Sequence, residues 1–372
     1  MKTSRNIAWI CGAAAVIIGF VALLSVLTGK ESMQINIGTY GSHIYRYILD
    51  TESLEFKHLS TVATTNGSYA LEHDGTLYSV MENGGNSGIS SFSVTPEMEK
   101  TAELFQTGDD PCFITAYEKA DKRFVLTADY SGGSVSVFPV CSGVVTDCCQ
   151  RLTFEGSGPV EGRQESSHIH QLRQIPGTDM ILAADLGSDC IRLLAACATE
   201  DGLLAHIGDI ACPSGSGPRH MEFSKDGRTL YCLAELSGEV LTYDITFKGG
   251  KPEFTLKQRT LADEVNAGGS ADIHLHPSGK YLYTSHRLDN DGIAIFRTNP
   301  DGTIEKTGYA RTARHPRNFM ISPDGDLLIA ACRDDKVVQV FRIGEDGLLT
   351  LTPSVLTFDQ DMPSSVTVSA SL

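Results

Sequence analysis

His168 and His170, Arg219 and His220, Glu235, Asp272 and His274, Arg287 and Arg317 are the residues of this chain whose types and spacing could carry chemistry. Each falls at the start or end of a short apolar run, and the runs recur along the sequence. Guanidinium forks match the geometry of carboxylate and phosphate groups. An imidazole or carboxylate beside them can take a proton from water, while the arginines hold charge that develops on a carbonyl oxygen under attack. Taken singly, each has a plainer reading: a strand histidine is usually a core hydrogen-bonding group, and an arginine at a strand end an ion-pair partner. Only elements that bring them to one place would make an anion-binding centre.

Those elements are short strands. In the template stretch, residues 215–244, Gly217, Pro218, Arg219 and His220 open a first strand, and Asp226-Gly227 turns it into a second at Thr229 to Ala234. Ser237-Gly238 then leads to a third. Asp-Gly and Ser-Gly pairs punctuate hairpins. Similar openings stand at Asn66, Asp110, Ser167, Ser270, His315 and Met362, and all but the last lead into an apolar second strand. The spacing, about 45 to 55 residues, is that of four-stranded propeller blades. The final copy stops after its first strand, while residues 34–62 supply strands that lack one. The predicted fold is therefore all-β: a seven-bladed β-propeller over residues 33–372, closed by pairing the N- and C-terminal strands so that no sheet edge is left open. Two packed sandwiches would explain neither the even period nor the matching fragments. In a propeller, inner-strand starts and second-strand ends converge on the central channel, where ligand sites are built.

These segments resemble the lactonase family of seven-bladed propellers, the type of 6-phosphogluconolactonase and carboxymuconate lactonising enzyme. The residues that carry the resemblance are Gly38-Thr39-Tyr40, the run from Asp129 to Phe138, His168 to His170, Ala184 to Asp189, Gly217 to His220 with Tyr231, Glu235 and Leu236, Ala271 to His274, Ser285 to Arg287, and Pro316-Arg317 with Phe319. His286 stands where the family often has Asn, and so does Asp129. The resemblance implies a lactonase, a carboxylic ester hydrolase, expected to act on a sugar lactone and foremost on 6-phosphogluconolactone. It places the catalytic set on His170, Arg219, Glu235 and Arg287. Glu235 or His170 would be the general base toward water, and Arg219 and Arg287 would hold the carboxylate or oxyanion. Arg317, Asp272 and His274 would contact the substrate. His220, next to Arg219, points the other way along an alternating strand and reads as structural.

No cofactor and no metal are expected, although other readings stay open. Glu82, Asp129, Asp185 and Glu235 at second-strand ends could imitate a carboxylate cation site, making a metal-dependent lactonase. The His168/His170 and His274/His276 pairs permit a metal but read better as unrelated histidines. A cycloisomerase of another lactone, or a non-catalytic extracytoplasmic binding propeller, would use the same fold. The glycine-rich pieces at Asn83 and Ser131 are hairpin turns rather than phosphate loops, and no Gly-x-Ser-x-Gly elbow supports a serine esterase.

With 30 basic against 46 acidic residues the net charge is -16, which argues against a nucleic-acid partner and leaves room for a small anion only where arginines gather. Residues 1–32 read as a membrane anchor or signal segment, because Ile7 to Thr28 form an apolar run after Lys2 and Arg5 that could cross a bilayer as one hydrophobic helix. That topology places the propeller outside the cytoplasm, whereas a start at Met33 would leave it inside. The cysteines pull the same way as the second reading: there are ten, nine without Cys11, with no ligand spacing and no look of a disulfide framework.

Overall fold

The strands form where apolar runs can be buried on both faces. The second strand of a blade lies between neighbouring sheets, and Thr76–Met81, Thr229–Ala234 and Leu327–Cys332 are buried at every position. Outermost strands such as Phe56–Ala63 and Lys251–Leu261 alternate between exposed and partly covered residues, since only one of their faces meets a neighbour. A computed structural model describes residues 32–95, 97–199 and 202–369. Within it, seven antiparallel sheets form a closed ring in which each inner strand touches the next. The expected seven-bladed β-propeller is the fold. The predicted hydrophobic helix over Ile7 to Thr28 lies outside the described residues, and among these no helix is long and apolar enough to cross a membrane.

Blades are numbered here by their inner strands. Blade 1 starts at Ala70–His73, blade 2 at Pro111–Lys119, blade 3 at Ile169–Gln174 and blade 4 at Pro218–Phe223. Blade 5 starts at Ser270–Leu275, blade 6 at Pro316–Ile321 and blade 7 at Met362–Val368. In blade 2 the fourth strand is split, with Val144–Val145 and Gln150–Thr153 both pairing with the third strand, Ser134–Cys141. The turns follow the sequence: Gly227 takes a φ of 68° and bonds back to the Ser224 carbonyl, a left-handed geometry that a residue with a Cβ rarely adopts. The cysteines with described side chains are free thiols, Cys112, Cys190, Cys232 and Cys332 among them buried in the blades.

Ring closure joins the two ends of the chain. Met362–Val368 pairs antiparallel with Ser32–Tyr40, and Met33, Ile35 and Ile37 pack with Leu327, Ile329 and Val340 of blade 6. On the other side Arg46 ties blade 7 to blade 1, reaching Gln34 at 2.6 Å, Glu72 at 3.2 Å and the Val94 carbonyl at 2.9 Å. Deleting residues 362–372 would strip blade 7 of its inner strand and bare the edge of Ser32–Tyr40. The truncated chain is expected to elute earlier than the full-length protein in size-exclusion chromatography; a truncated chain that elutes and melts with the full-length protein would contradict this closure.

Candidate active site

The residues at the channel mouth are aimed by a repeated backbone irregularity. Pro218 pairs with Ala234 but His220 pairs with Leu233, so Arg219 is an extra residue without a partner across the ladder. Register shifts at the same place leave Cys112, His170, Arg317 and Ser364 extra in blades 2, 3, 6 and 7, and another falls between Ser270 and Ile273 in blade 5. Such bulges bend a strand and re-aim the inserted side chain. Pro111, Pro218, Pro316 and Pro363 stand just before four of them, at the start of the strand where a missing N–H is tolerated. A second set comes from the residue that follows each second strand. Glu82, Glu235, Arg287 and Arg333 each donate a backbone N–H to the carbonyl of Asn66, Gly217, Gly269 and His315, at 3.1, 2.7, 3.1 and 2.9 Å respectively. Tyr130 does the same with Asp110 at 2.9 Å.

Glu235 is the electrostatic centre. Its Oε1 accepts from Arg163 at 2.6 Å and lies 3.2 Å from Arg287, while its Oε2 lies 2.6 Å from Arg219 Nε. Burial alone would raise the Glu235 carboxyl, but Arg287, Arg219 and Arg163 outweigh it and hold it down to about 2. Arg219 also donates to the Ala271 carbonyl, and Arg287 to the Gly269 carbonyl at 2.9 Å, with His315 Nε2 at 3.3 Å. Burial brings Arg287 down to about 9, against the pull of Glu235 and with the push of Arg219 and Arg317. Arg317 is less committed: it stacks 5.1 Å over the Tyr40 ring and sits 3.9 Å from Glu82, whose other oxygen takes the Tyr40 hydroxyl at 2.7 Å.

Beside this cluster His170 is almost fully covered. Its ring meets Tyr130 edge-on at 5.7 Å and His220 at 5.1 Å, and its buried Nδ1 has no hydrogen-bond partner among the described residues. Burial pushes its imidazole well below the usual histidine range, and Arg219, His220, Arg317 and Arg287 push it further. It is therefore neutral near pH 7 and able to accept a proton. Arg163, Arg219, Arg287 and Arg317 face Glu235 and Glu82, so the mouth is positive in a chain whose net charge is -16.

A family model described as lactonase, 7-bladed beta-propeller, matches residues 34–368. The chain belongs to the lactonase family. A 6-phosphogluconolactonase of Formosa agariphila is 33% identical to this lactonase over 85% of the chain and 93% of the relative, and one of Bacillus subtilis is 30% identical over 86% and 94%. The solved structure of a Bacteroides fragilis protein matches it with a TM-score of 0.84 at 35% identity, covering 92% of this chain and 99% of that one. A periplasmic gluconolactonase of Pseudomonas aeruginosa gives 0.81 at 26% identity over 91% and 99%.

The lactonase brings together His170, Arg219, Glu235 and Arg287, with Arg317 across the channel. Asp272 and His274, expected on the substrate, are placed otherwise. Asp272 is fully buried and its carboxylate already takes His220 at 2.6 Å, His274 at 2.9 Å, Asn318 at 2.5 Å and the N–H groups of Ile273 and Phe319 at 3.0 and 3.2 Å. It has no acceptor capacity left for a ligand, and it holds His274 to itself. Residues after the bulges instead sew the inner strands together: Gln171 accepts from the Met221 N–H at 2.6 Å, and Asn318 from that of Val366 at 2.7 Å.

The expectation that His220 points the other way from Arg219 is corrected by the same bulge. The extra residue breaks the alternation, so Arg219 and His220 are both buried on the channel side. The carboxylates that could imitate a cation site do not converge. Asp129 is occupied by Thr127, Ser134 and Ser136, and Asp185 by Ser167 and Arg192, because both end a strand one position short of the channel-facing place held by Glu82 and Glu235. Among the described residues no group of three His, Cys, Asp or Glu could hold a metal ion. His168 stacks on Tyr130 at 4.4 Å, and His276 bonds Ser278 and the Gly325 carbonyl.

Sequence reasoning missed Arg163, Tyr130 and His315 as site residues. Arg163 lies in the connection between blades 2 and 3, outside the repeat, so no spacing pointed to it. Tyr130 and His315 were visible as blade-equivalent positions, following a second strand and preceding an inner one.

Proposed function

We propose that this lactonase hydrolyses 6-phosphogluconolactone to 6-phosphogluconate at the channel mouth. The observation that carries the reading is the neutral, buried His170 with a free Nδ1 beside arginines that outnumber the carboxylates they face. The names of the relatives from Formosa agariphila and Bacillus subtilis support the substrate. Both candidate bases are weakened by their surroundings, and geometry chooses between them: the two oxygens of Glu235 are engaged by three guanidinium groups, so it serves as the clamp that keeps Arg163, Arg219 and Arg287 in register, whereas His170 Nδ1 has no partner among the described residues. His170 takes the proton. Water adds to the lactone carbonyl carbon as His170 removes one of its protons, and the carbonyl electron pair moves to oxygen beside Arg219 and Arg287. Collapse breaks the bond to the ring oxygen, which recovers that proton and leaves the open-chain acid. Each turnover consumes one water.

Arg317, with a single long ionic contact, is the arginine free to take the phosphate. Arg317→Ala is expected to raise KM for 6-phosphogluconolactone about 10- to 100-fold while changing that for unphosphorylated gluconolactone less than about threefold. Equal effects on both lactones would remove the phosphate from Arg317.

A second reading, an unphosphorylated lactone met outside the cytoplasm, is favoured by the apolar run from Ile7 to Thr28 and by the likeness to a periplasmic gluconolactonase. Turnover of both lactones, with and without EDTA, separates the readings. Rapid, EDTA-insensitive hydrolysis of the phosphorylated compound supports the first; preference for gluconolactone, together with export of a reporter fused after residue 32, supports the second. Loss of activity in EDTA would return the metal-dependent mechanism.

A further inference from the structure

We propose that His220 is a second catalytic histidine, holding the attacking water together with His170, and that Asp272 is the positioning residue that sets its tautomer. The inference rests on the hydrolytic reading above and deepens it.

The geometry starts from the bulge at Arg219, which keeps His220 on the channel side, with its ring edge-on to Phe113 at 5.7 Å and to His170 at 5.1 Å. His220 Nδ1 lies 2.6 Å from Asp272 Oδ1. Asp272 is a carboxylate that accepts from two histidines, an amide and two backbone N–H groups, so it cannot donate and cannot rotate. The proton of the neutral His220 must therefore sit on Nδ1, and Nε2 presents a lone pair. His220 is held neutral near pH 7, brought down to about 4 by burial and by Arg219 against the pull of Asp272.

His220 Nε2 and His170 Nδ1 are both buried, and neither has a hydrogen-bond partner among the described residues. Two unpartnered ring nitrogens on adjacent blades, in rings 5.1 Å apart, suit one water that donates both its hydrogens, provided that His170 carries its own proton on Nε2. Such a water has its remaining lone pairs free for attack. As the bond to the carbonyl carbon forms, the hydrogen shared with His170 passes to that imidazole, and His220 keeps the other in place until the ring C–O bond breaks and the leaving oxygen is protonated.

Nitrogen-15 NMR of the full-length wild-type protein near pH 7 tests the tautomer directly. His220 is expected to carry its proton on Nδ1, and an Nε2–H signal would overturn the proposal even if lactone turnover is normal. In Asp272→Asn the amide can donate to Nδ1, which drives the proton to Nε2 and removes the acceptor. That variant is expected to lose at least about 100-fold in kcat with KM within about threefold. His220→Phe should lose as much, and His220→Gln, whose amide oxygen restores an acceptor, should recover most of it. A folded His220→Phe with wild-type kcat would sink the proposal while leaving the hydrolytic reading intact. If neither lactone is turned over by the wild type, that reading fails and this role for His220 fails with it.

Discussion

The His170→Gln variant is expected to lose about 100- to 10,000-fold in kcat, with KM for the lactone changed by less than about threefold. Glutamine has a similar reach and can fill the space between Tyr130 and His220, so the blade should remain folded, but an amide cannot carry a proton away from water. Arg219, Arg287 and Glu235 stay in place, so the residual rate measures what the arginines contribute to the oxyanion. The pH profile supplies a second readout. Burial and the nearby cations disfavour the imidazolium, so the acid limb of kcat/KM, which reports the free enzyme, should lie below pH 6.5. A bound phosphate dianion would offset Arg219, Arg317 and Arg287, and the limb of kcat should then lie at higher pH than that of kcat/KM. A kcat unchanged in His170→Gln would remove it from the mechanism.

The stability of the propeller is expected to fall steeply on mild acidification. His170, His220, His286 and His315 are buried, and burial lowers all four: His170 well below the usual range, His220 to about 4, His286 to about 3 and His315 to about 2. A histidine with a depressed folded value takes up its proton in the unfolded chain first. Each therefore contributes nothing above about pH 6.5 and destabilises by ~1.4 kcal/mol per pH unit below it. Four together approach a slope of about 5 kcal/mol per pH unit between about pH 6 and the folded values. His274 has the opposite sign: burial lowers it, but Asp272 and Glu222 outweigh that and raise it, so its stabilisation is full below pH 6.5 and fades above. Urea unfolding at pH 7 and pH 5 measures the sum. His286, bonded to Ser270 at 2.9 Å and Thr284 at 2.7 Å inside blade 5, can be tested alone: His286→Gln should flatten the slope by about a quarter. Equal stability at the two pH values would show that these histidines are protonated in the folded chain.

Much of this protein was legible in its sequence because a propeller blade is a local object. A hairpin turn such as Asp226-Gly227, an apolar second strand and a Pro-Arg strand start such as Pro218-Arg219 or Pro316-Arg317 lie within a few tens of residues, and the pattern recurs. Closure was legible for the same reason, since the unpaired inner strand at Met362 and the strands from Ser32 onward complement each other across the ends. Equivalence between blades showed only that ionisable residues gather at matching places, Arg219 with Arg317 and Glu235 with Arg287, while the choice of His170, Arg219, Glu235 and Arg287 as the catalytic set came from the resemblance to the lactonase family.

The chemistry chosen from that set was decided in three dimensions. Strict alternation turned His220 away from Arg219, but an extra residue in the inner strands of blades 2 to 7 reversed this, and a bulge leaves no mark that a period of two can detect. Whether Glu235 or His170 could act as a base depended on how many guanidinium groups reached each of them, and one of those, Arg163, comes from a connection with no counterpart in the other blades. Sequence by itself determined the blades, their closure and the residue types gathered at the channel, because hairpins and burial patterns are short-range. Tertiary structure alone decided which groups are neutral, which are clamped and which are already satisfied, because those states depend on burial and on partners brought across from neighbouring blades, such as Asp272 to His220.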